Sequence, residues 1–223
     1  MNKFLLIKLL TLATLFPSYG GIPQELNRIT FVNETGYSLY RLFWAPSYQS
    51  DTHFQWGNNL IPYGRTMNQG EISRFFVHYP ESCTFLDFWA VDHRGNQYRT
   101  SRIQVCNQEE QVVFLEPSHR IQRIIEFEEI LIDFVHDGQV EVWFLFLSPQ
   151  SFGMWGADVL GDTLLLGPGQ HRRFAFPRLH RSDLGLFLDV MAVDSRDRVY
   201  IKKLSIDSES PRHIINFTEL SVP

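Results

Sequence analysis

Two polar loops of the sequence carry residue types that can bind ligands. The first contains WGNNL over 56–60, and the second contains WGADVLG over 155–161. An exposed indole can stack on a sugar ring, and a carboxylate can ligate calcium. Alternatively, each indole folds back over the end of a β-sandwich, where Gly allows close backbone approach. Recurrence of Trp with Gly and a following Leu favours this structural role. Trp56, Trp155 and Asp158 are the candidate ligand-binding residues.

Four aspartates stand at recurring places in strand-like sequence. Asp87 and Asp189 each lie between two apolar residues. A buried carboxylate there must be paired or hydrogen-bonded, and it could serve a metal or acid–base site. A structural role is the commoner outcome, with loop amides or an Arg as partner. Asp92 and Asp194 each end a strand-like segment just before a turn, which predicts Asx turns.

The sequence contains no motif that indicates catalysis. Its eight His show no metal-ligand spacing, and the loops lack EF-hand spacing. A nucleophile elbow, a phosphate loop and a dinucleotide fingerprint are also missing. We therefore expect a protein that is not an enzyme, with no catalytic residue, no metal and no cofactor.

The candidate residues occur in pairs because the sequence is duplicated. Pairs such as Asp87/Asp189 and Tyr98/Tyr200 recur at a nearly constant offset of roughly one hundred residues, far above the roughly 20–50 residues of a solenoid unit. Each copy has the size of a small domain. The predicted organisation is a signal peptide at 1–20, a first repeat at 21–118 and a second repeat at 119–223.

Each repeat reads as a series of short strands. Apolar runs flank the turns NETG over 33–36 and HDG over 136–138, which indicates a hairpin in each copy. Each return strand ends at a proline, Pro46 or Pro149, where the chain should leave the sheet. A second hairpin closes each copy. The predicted fold is all-β, with two tandem β-sandwich domains of Ig-like or small-barrel type. Residues 121–134 are interpreted as a linker that runs into the second repeat.

These motifs together resemble a known family. The pattern comprises an Asn/Asp-x-x-Gly turn, a Ser/Ala-Pro exit, Trp-Gly-x-Asp/Asn-x-Leu and an Asp-x-x-Ala-Val-Asp hairpin. It resembles an uncharacterised bacterial exported tandem β-repeat family, whose members carry one or two copies behind a signal peptide. The resemblance covers almost all of 28–217. It implies the repeat architecture and an exported compartment, and it implies no activity.

The N-terminus resembles a secretory signal. Lys3 and Lys8 precede a short apolar core, and small residues precede a predicted cut before Gly21. That core is shorter than the roughly 20 residues that span a bilayer. The alternative is an uncleaved N-terminal anchor. No later segment is long and apolar enough to cross a membrane, so the expected location is periplasmic or secreted.

Charge and compartment limit the possible partners. The formal net charge is −5, and removal of the signal makes the chain more acidic. Such a chain has no electrostatic footprint for nucleic acid. We expect a binding or structural module of the bacterial cell envelope that acts through protein–protein interaction. The alternative is a carbohydrate- or glycan-binding module that uses Trp56 and Trp155.

The two cysteines of this exported chain suggest a disulfide. If 93–96 form a four-residue hairpin loop, the register places Cys83 directly opposite Cys106. Opposed residues in antiparallel strands have Cα atoms roughly 4.5–5.5 Å apart, and disulfides accept about 4.4–6.8 Å. The same register predicts Arg102 opposite Asp87.

Applied to the second repeat, this register places Asp189 opposite Leu204. The second repeat has no cysteine, so no equivalent bridge is expected there. We therefore predict that the partner of Asp189 comes from elsewhere.

Overall fold

The chain forms an all-β protein with several open sheets. The computed structural model describes residues 26–50, 55–78, 83–106, 110–161, 164–179, 186–207, 210 and 212–220. The predicted signal peptide at 1–20 lies outside these residues. Helical structure in the described part is limited to one α-turn and three 3₁₀ turns, at Ser47–Ser50, Pro117–His119, Gln150–Phe152 and Phe217–Glu219.

The first half of the chain forms two sheets. The strands are β1 (Leu26–Asn33), β2 (Leu39–Pro46), β3 (Ile72–His78), β4 (Cys83–Asp92), β5 (Gln97–Cys106) and β6 (Glu110–Leu115). One sheet has the order β6-β1-β3, in which β1 pairs antiparallel with β3 and parallel with β6. The other has the order β2-β4-β5 and is antiparallel throughout.

The strands of the second half are β7 (Phe127–Val135), β8 (Val142–Pro149), β9 (Gly156–Ala157), β10 (His171–Leu179), β11 (Leu186–Asp194), β12 (Val199–Ile206) and β13 (Arg212–Asn216). Their order matches that of the first half: β7 pairs antiparallel with β10 and parallel with β13, and the other sheet has the order β12-β11-β8. Within the described residues no sheet closes, which gives no support to the small-barrel alternative.

The hairpins predicted at the turns 33–36 and 136–138 are wrong. Strands β1 and β2 lie in different sheets, and so do β7 and β8. At each of these turns the chain therefore crosses from one sheet to the other.

Alternation along the strands separates core from surface. In β1, Ile29 and Phe31 are fully buried, and in β7 the matching Ile132 and Phe134 are fully buried. Successive side chains of a strand point to opposite faces, so the intervening residues point away from these cores. Each half thus has an apolar core between its two sheets.

The predicted disulfide is confirmed. Cys83 and Cys106 face each other across β4 and β5, with Cα atoms 4.3 Å apart. The assumed hairpin loop was one residue too long. Val91 pairs with Gln97, and the N–H of Asp92 donates to the carbonyl of Asn96, so residues 93–95 form the loop. A bulge at Arg102, whose φ is 60°, adds one residue to β5 and restores the register at the cysteines.

The second hairpin contains no such bulge, so its predicted register is wrong by one residue. Asp189 faces Lys203, and Leu204 faces Leu188 instead. A one-residue shift moves a side chain to the other face of a strand, which changes every partner along the hairpin.

The halves of the chain are joined by more than the linker. Strand β9 of the second half pairs with β3 of the first half, so one sheet contains residues of both repeats. Phe152, Met154 and Leu179 also belong to the core of the first half. We expected each repeat to form a sandwich domain of its own. The pairing of β9 with β3 contradicts a complete separation, because one sheet contains strands from both repeats.

Candidate functional site

Both predicted loop tryptophans are buried. Trp56 is 3% exposed, and its ring centroid lies 5.6 Å from that of Trp89. Trp155 is 8% exposed and packs with Phe146 and Met191. An indole that stacks on a sugar must present one face to solvent, which neither ring does. This burial argues against the glycan-stacking role.

The glycine that follows each tryptophan packs against a third indole, that of Trp44. A Cβ atom on Gly57 or on Gly156 would overlap the Trp44 ring. Gly156 also has a φ of +72°, which favours glycine. The Trp44 Nε1 donates a hydrogen bond of 3.3 Å to Asn58, and the Phe152 ring meets the indole edge-on at 5.2 Å. Trp44 thus contacts the WG loops of both repeats.

Asn59 ties the first loop to β2. Its Oδ1 accepts hydrogen bonds from the backbone N–H of Leu42 at 2.8 Å and of Ile61 at 3.2 Å. Its amide nitrogen donates to the Tyr40 carbonyl at 3.3 Å. This side chain replaces backbone partners that the irregular loop cannot supply.

Asp158 does the same in the second repeat. Its Oδ1 accepts from the N–H of Leu145 at 3.0 Å and of Leu160 at 3.1 Å. The residue is fully buried. The described part of the chain contains no cluster of three or more His, Cys, Asp or Glu side chains suited to a metal. The geometry therefore favours a backbone-binding role over a calcium site.

The two loops bind each other's repeat reciprocally. The N–H of Asn59 donates to the carbonyl of Ala175 in β10, and the N–H of Asp158 donates to the carbonyl of Phe76 in β3, each at 2.7 Å. Ala175 and Phe76 occupy matching places in the two repeats. The WG loops therefore form a pseudo-symmetric lock, which we call the WG lock and define by these two bonds and Trp44.

The WG lock is asymmetric at its edge. His78 lies opposite Gly156 in the pairing of β3 with β9. The matching residue of β10 is Pro177, which has no N–H to donate and cannot extend a ladder. This difference accounts for the two-residue strand in the loop of the second repeat, which residues 55–60 of the first loop do not form.

His78 is buried where the two repeats meet. Its ring lies 6.3 Å from that of Phe146 and is 6% exposed. Its Nδ1 has no hydrogen-bond partner among the described residues. Burial lowers the pKa of His78 to about 4, because the apolar surroundings disfavour the charged ring. The folded protein thus holds this imidazole neutral.

Asp87 is held within its own repeat. Its Oδ1 accepts from the Ser47 hydroxyl at 2.5 Å and from the N–H of Arg102 at 2.8 Å. Its Oδ2 accepts from the Arg99 guanidinium at 2.9 Å. The predicted Arg102 therefore contributes its backbone in the bulge, and Arg99 supplies the charge.

Asp189 lacks that arrangement. Its Oδ1 has no hydrogen-bond partner in the part of the chain that the structure describes. Burial raises the pKa of Asp189, while the positive charge of Lys203 opposes that shift. The second hairpin has no bulge to present an amide, which accounts for the difference from Asp87.

Asp92 and Asp194 are fully buried at their turns. Asp92 Oδ1 accepts from the N–H of Arg94 at 2.8 Å and of Asn96 at 2.9 Å. Asp194 accepts equivalent bonds within its own turn. Burial opposes ionisation, but the hydrogen bonds from Asn96 and Arg94 lower the pKa of Asp92. Both side chains organise hairpin turns.

An exposed apolar surface lies on the outer face of the sheet β6-β1-β3. Ile72, Val32 and Phe114 form one row across the three strands, and Val112 lies in the next row. Ile72, Val112 and Phe114 are 50%, 51% and 47% exposed. We call these four residues the outer apolar patch. Sequence analysis missed it because β6 is apolar on both faces, so alternation did not mark an outer side.

The four positions of the second repeat that match the patch are mixed in character: His171, Val135, Asn216 and the exposed Ile214. Asp133 is paired with Arg173 at 2.7 Å and with Arg212 at 2.5 Å. Asp133 and Arg173 stand where the first repeat has Thr30 and Arg74. The two halves therefore share the strand pairing of this sheet, and they differ where His171 and Asn216 replace Ile72 and Phe114.

Comparison of the chain with models of protein families, with curated proteins and with solved structures found no match. Among the described residues no helix has the length and apolar character needed to cross a membrane.

The WG lock predicts an unusual sensitivity at Gly156. Gly156→Ala should destabilise the protein by about 2–5 kcal/mol, because it combines a strained backbone with overlap on Trp44. Gly153→Ala is the matched control, since Gly153 also has positive φ but nothing lies within 4 Å of its added Cβ. That change should cost about 1 kcal/mol. Urea unfolding measures both, and equal losses would show that the Trp44 contact does not constrain the loop.

His78 predicts a loss of stability in mild acid. Below pH about 6.5 the unfolded chain takes up a proton that the folded chain resists until pH about 4. The stabilisation is therefore complete above pH 6.5 and decreases as pH falls. Wild type should lose about 2 kcal/mol more than His78→Gln between pH 7 and pH 5. Urea unfolding at both pH values measures the stability of each protein. Equal losses of stability in wild type and His78→Gln would rule out this role for His78.

Proposed function

We propose that the protein is an exported, non-catalytic binding or structural module of the bacterial cell envelope. It consists of two tandem, like β-sandwich domains and acts through protein–protein interaction. The outer apolar patch is the contact surface in this proposal. Its partner is an envelope protein with a complementary apolar surface.

The tandem arrangement is supported by matching strand pairing. Strand β1 pairs antiparallel with β3 and parallel with β6, and β7 likewise pairs antiparallel with β10 and parallel with β13. The reciprocal bonds of Asn59 and Asp158 add a second, independent correspondence. Duplication of one domain produces both features at once.

The outer apolar patch is the observation that carries the interaction proposal. Its exposed side chains lie in adjacent rows of one sheet, and clustered exposed apolar residues are typical of interaction surfaces. The same sheet face continues to Phe76 and His78, which the second repeat already covers. One part of this face therefore already serves as a packing surface between repeats.

The counterpart in the second repeat argues that the patch is not required for folding. The second repeat has the same strand pairing, while His171 and Asn216 stand where the first repeat has Ile72 and Phe114. The apolar row of the first repeat is thus interrupted in the second repeat, although Ile214 there is also exposed. The buried indoles of Trp56 and Trp155 give no support to the alternative glycan role.

A photocrosslinker tests the proposed contact in the bacterium that produces the chain. p-Benzoylphenylalanine at Val112 should yield an adduct of defined mass in the envelope fraction. The same group at Ile214, the exposed counterpart in the second repeat, should yield little. Adding Phe114→Lys should remove the Val112 adduct, because a charge in the patch disfavours apolar contact.

Two results of this experiment would contradict the proposal. Equal adducts at Val112 and Ile214 would show nonspecific labelling. No adduct from Val112, with the protein folded and present, would remove the patch as an interaction surface.

A further inference from the structure

A cleft separate from the outer apolar patch opens where the two repeats meet. Its volume is about 320 Å³, which is at the lower end of ligand pockets. The loop that follows the WG motif of the first repeat forms one wall. The second loop and β10 form the other wall. The side chains that matter to its chemistry are Asn59, Tyr63, Arg65, Leu164, Arg172 and Arg173.

Arg172 has an unusual position in this cleft. It faces Phe134 across β10 and β7, on the same side of the strand as the buried Phe174. Its Nε is shielded from solvent and has no hydrogen-bond partner among the described residues. A shielded, unpaired guanidinium nitrogen is costly, so a cation at an inward-facing position calls for an anionic partner.

The first repeat shows that the sandwich does not require this cation. Ser73 faces Phe31 there, as Arg172 faces Phe134 in the second repeat. Both Phe31 and Phe134 are fully buried in their cores. A small neutral residue therefore fits the same place in the same strand pairing.

Among the residues that the structure describes, the cleft has an excess of positive charge. The described carboxylate that lines it, Asp133, is already paired with Arg173 and Arg212. Arg65 and Arg172 form no ion pair within the described part of the chain. This local excess occurs in a chain whose formal net charge is −5. Concave clusters of one sign attract ligands of the opposite sign.

An aromatic side chain stands beside these cations. Tyr63 is 43% exposed, and the Arg173 guanidinium lies 5.3 Å from its ring centroid. The ring and Leu164 provide apolar surface for the carbon skeleton of a ligand. Guanidinium groups bind carboxylates through paired N–H donors.

We propose that this cleft binds a small organic carboxylate of about monosaccharide size. Arg172 and Arg65 hold the carboxylate, and Tyr63 with Leu164 contacts the carbon skeleton. The site belongs to the pair of repeats, because each repeat supplies one wall. It is independent of the protein contact proposed for the outer apolar patch.

Calorimetric titration of the whole protein with D-glucuronate tests this assignment. D-Glucose is the neutral control of similar shape, and inorganic phosphate is the control for charge alone. Glucuronate should bind, and glucose should bind at least about tenfold more weakly, because a charge-assisted hydrogen bond is lost. Phosphate should bind more weakly than glucuronate because it makes no contact with Tyr63 or Leu164.

Arg172→Ser introduces the residue of the first repeat at the matching place. It should weaken glucuronate binding at least about tenfold. Arg65→Gln should also weaken binding, and it serves as the second variant if Arg172→Ser does not fold. Arg123→Gln removes an exposed cation that does not line the cleft, so its affinity should equal that of wild type.

Several results would overturn the proposal. One is that glucuronate does not bind at millimolar concentration. Another is that glucose or phosphate binds as tightly as glucuronate does. The third is that Arg172→Ser and Arg65→Gln bind glucuronate with the affinity of wild type. Phe114→Lys separates the two proposed surfaces, since it should remove the envelope contact and leave glucuronate affinity unchanged.

Discussion

The rest of the structure depends on the close packing of Trp44 against Gly57 and Gly156. One indole contacts the backbone of a loop from each repeat, and a side chain at either glycine would occupy the same space. Packed interiors tolerate such overlap poorly, so this contact fixes the position of both loops. Fixed loops in turn allow the N–H groups of Asn59 and Asp158 to reach carbonyls of the opposite repeat.

This constraint links the buried loop residues to both proposed surfaces. Each WG tryptophan packs against strand residues of its own repeat. Gly156, through its contact with Trp44, and the N–H groups of Asn59 and Asp158 connect the two repeats. Once the repeats are fixed together, part of the outer sheet face is covered and part remains open at the outer apolar patch. The cleft at Arg172 exists for the same reason, since its walls come from different repeats. The two proposed surfaces therefore depend on one packing arrangement.

Sequence patterns predicted local features better than contacts between repeats. Turn residues and strand alternation identified the strands and the second hairpin of each copy, because those signals act over a few residues. The same signals predicted hairpins at 33–36 and 136–138 wrongly, because a turn signal does not show whether the chain stays in one sheet or crosses to another. Cys83 and Cys106 were paired correctly although the turn was one residue shorter than assumed, since the bulge at Arg102 compensated. Without a bulge, the same reasoning placed Leu204 opposite Asp189, where the structure has Lys203. The role of Trp44 was not predictable from the repeat, because the matching residue of the second copy is Leu147. Strand alternation predicts which side chains are buried, but it does not predict which residues they contact. The effect of Pro177 on the WG lock likewise requires knowledge of which strands meet.

The WG lock is tested most directly by amide hydrogen exchange, measured residue by residue by NMR. Loop amides that lack partners exchange quickly, whereas amides bonded across a packed interface exchange only when that interface opens. The amides of Asn59 and Asp158 should both exchange as slowly as those of the core strand β1. Fast exchange at both positions, with β1 still protected, would contradict the reciprocal connection between the repeats.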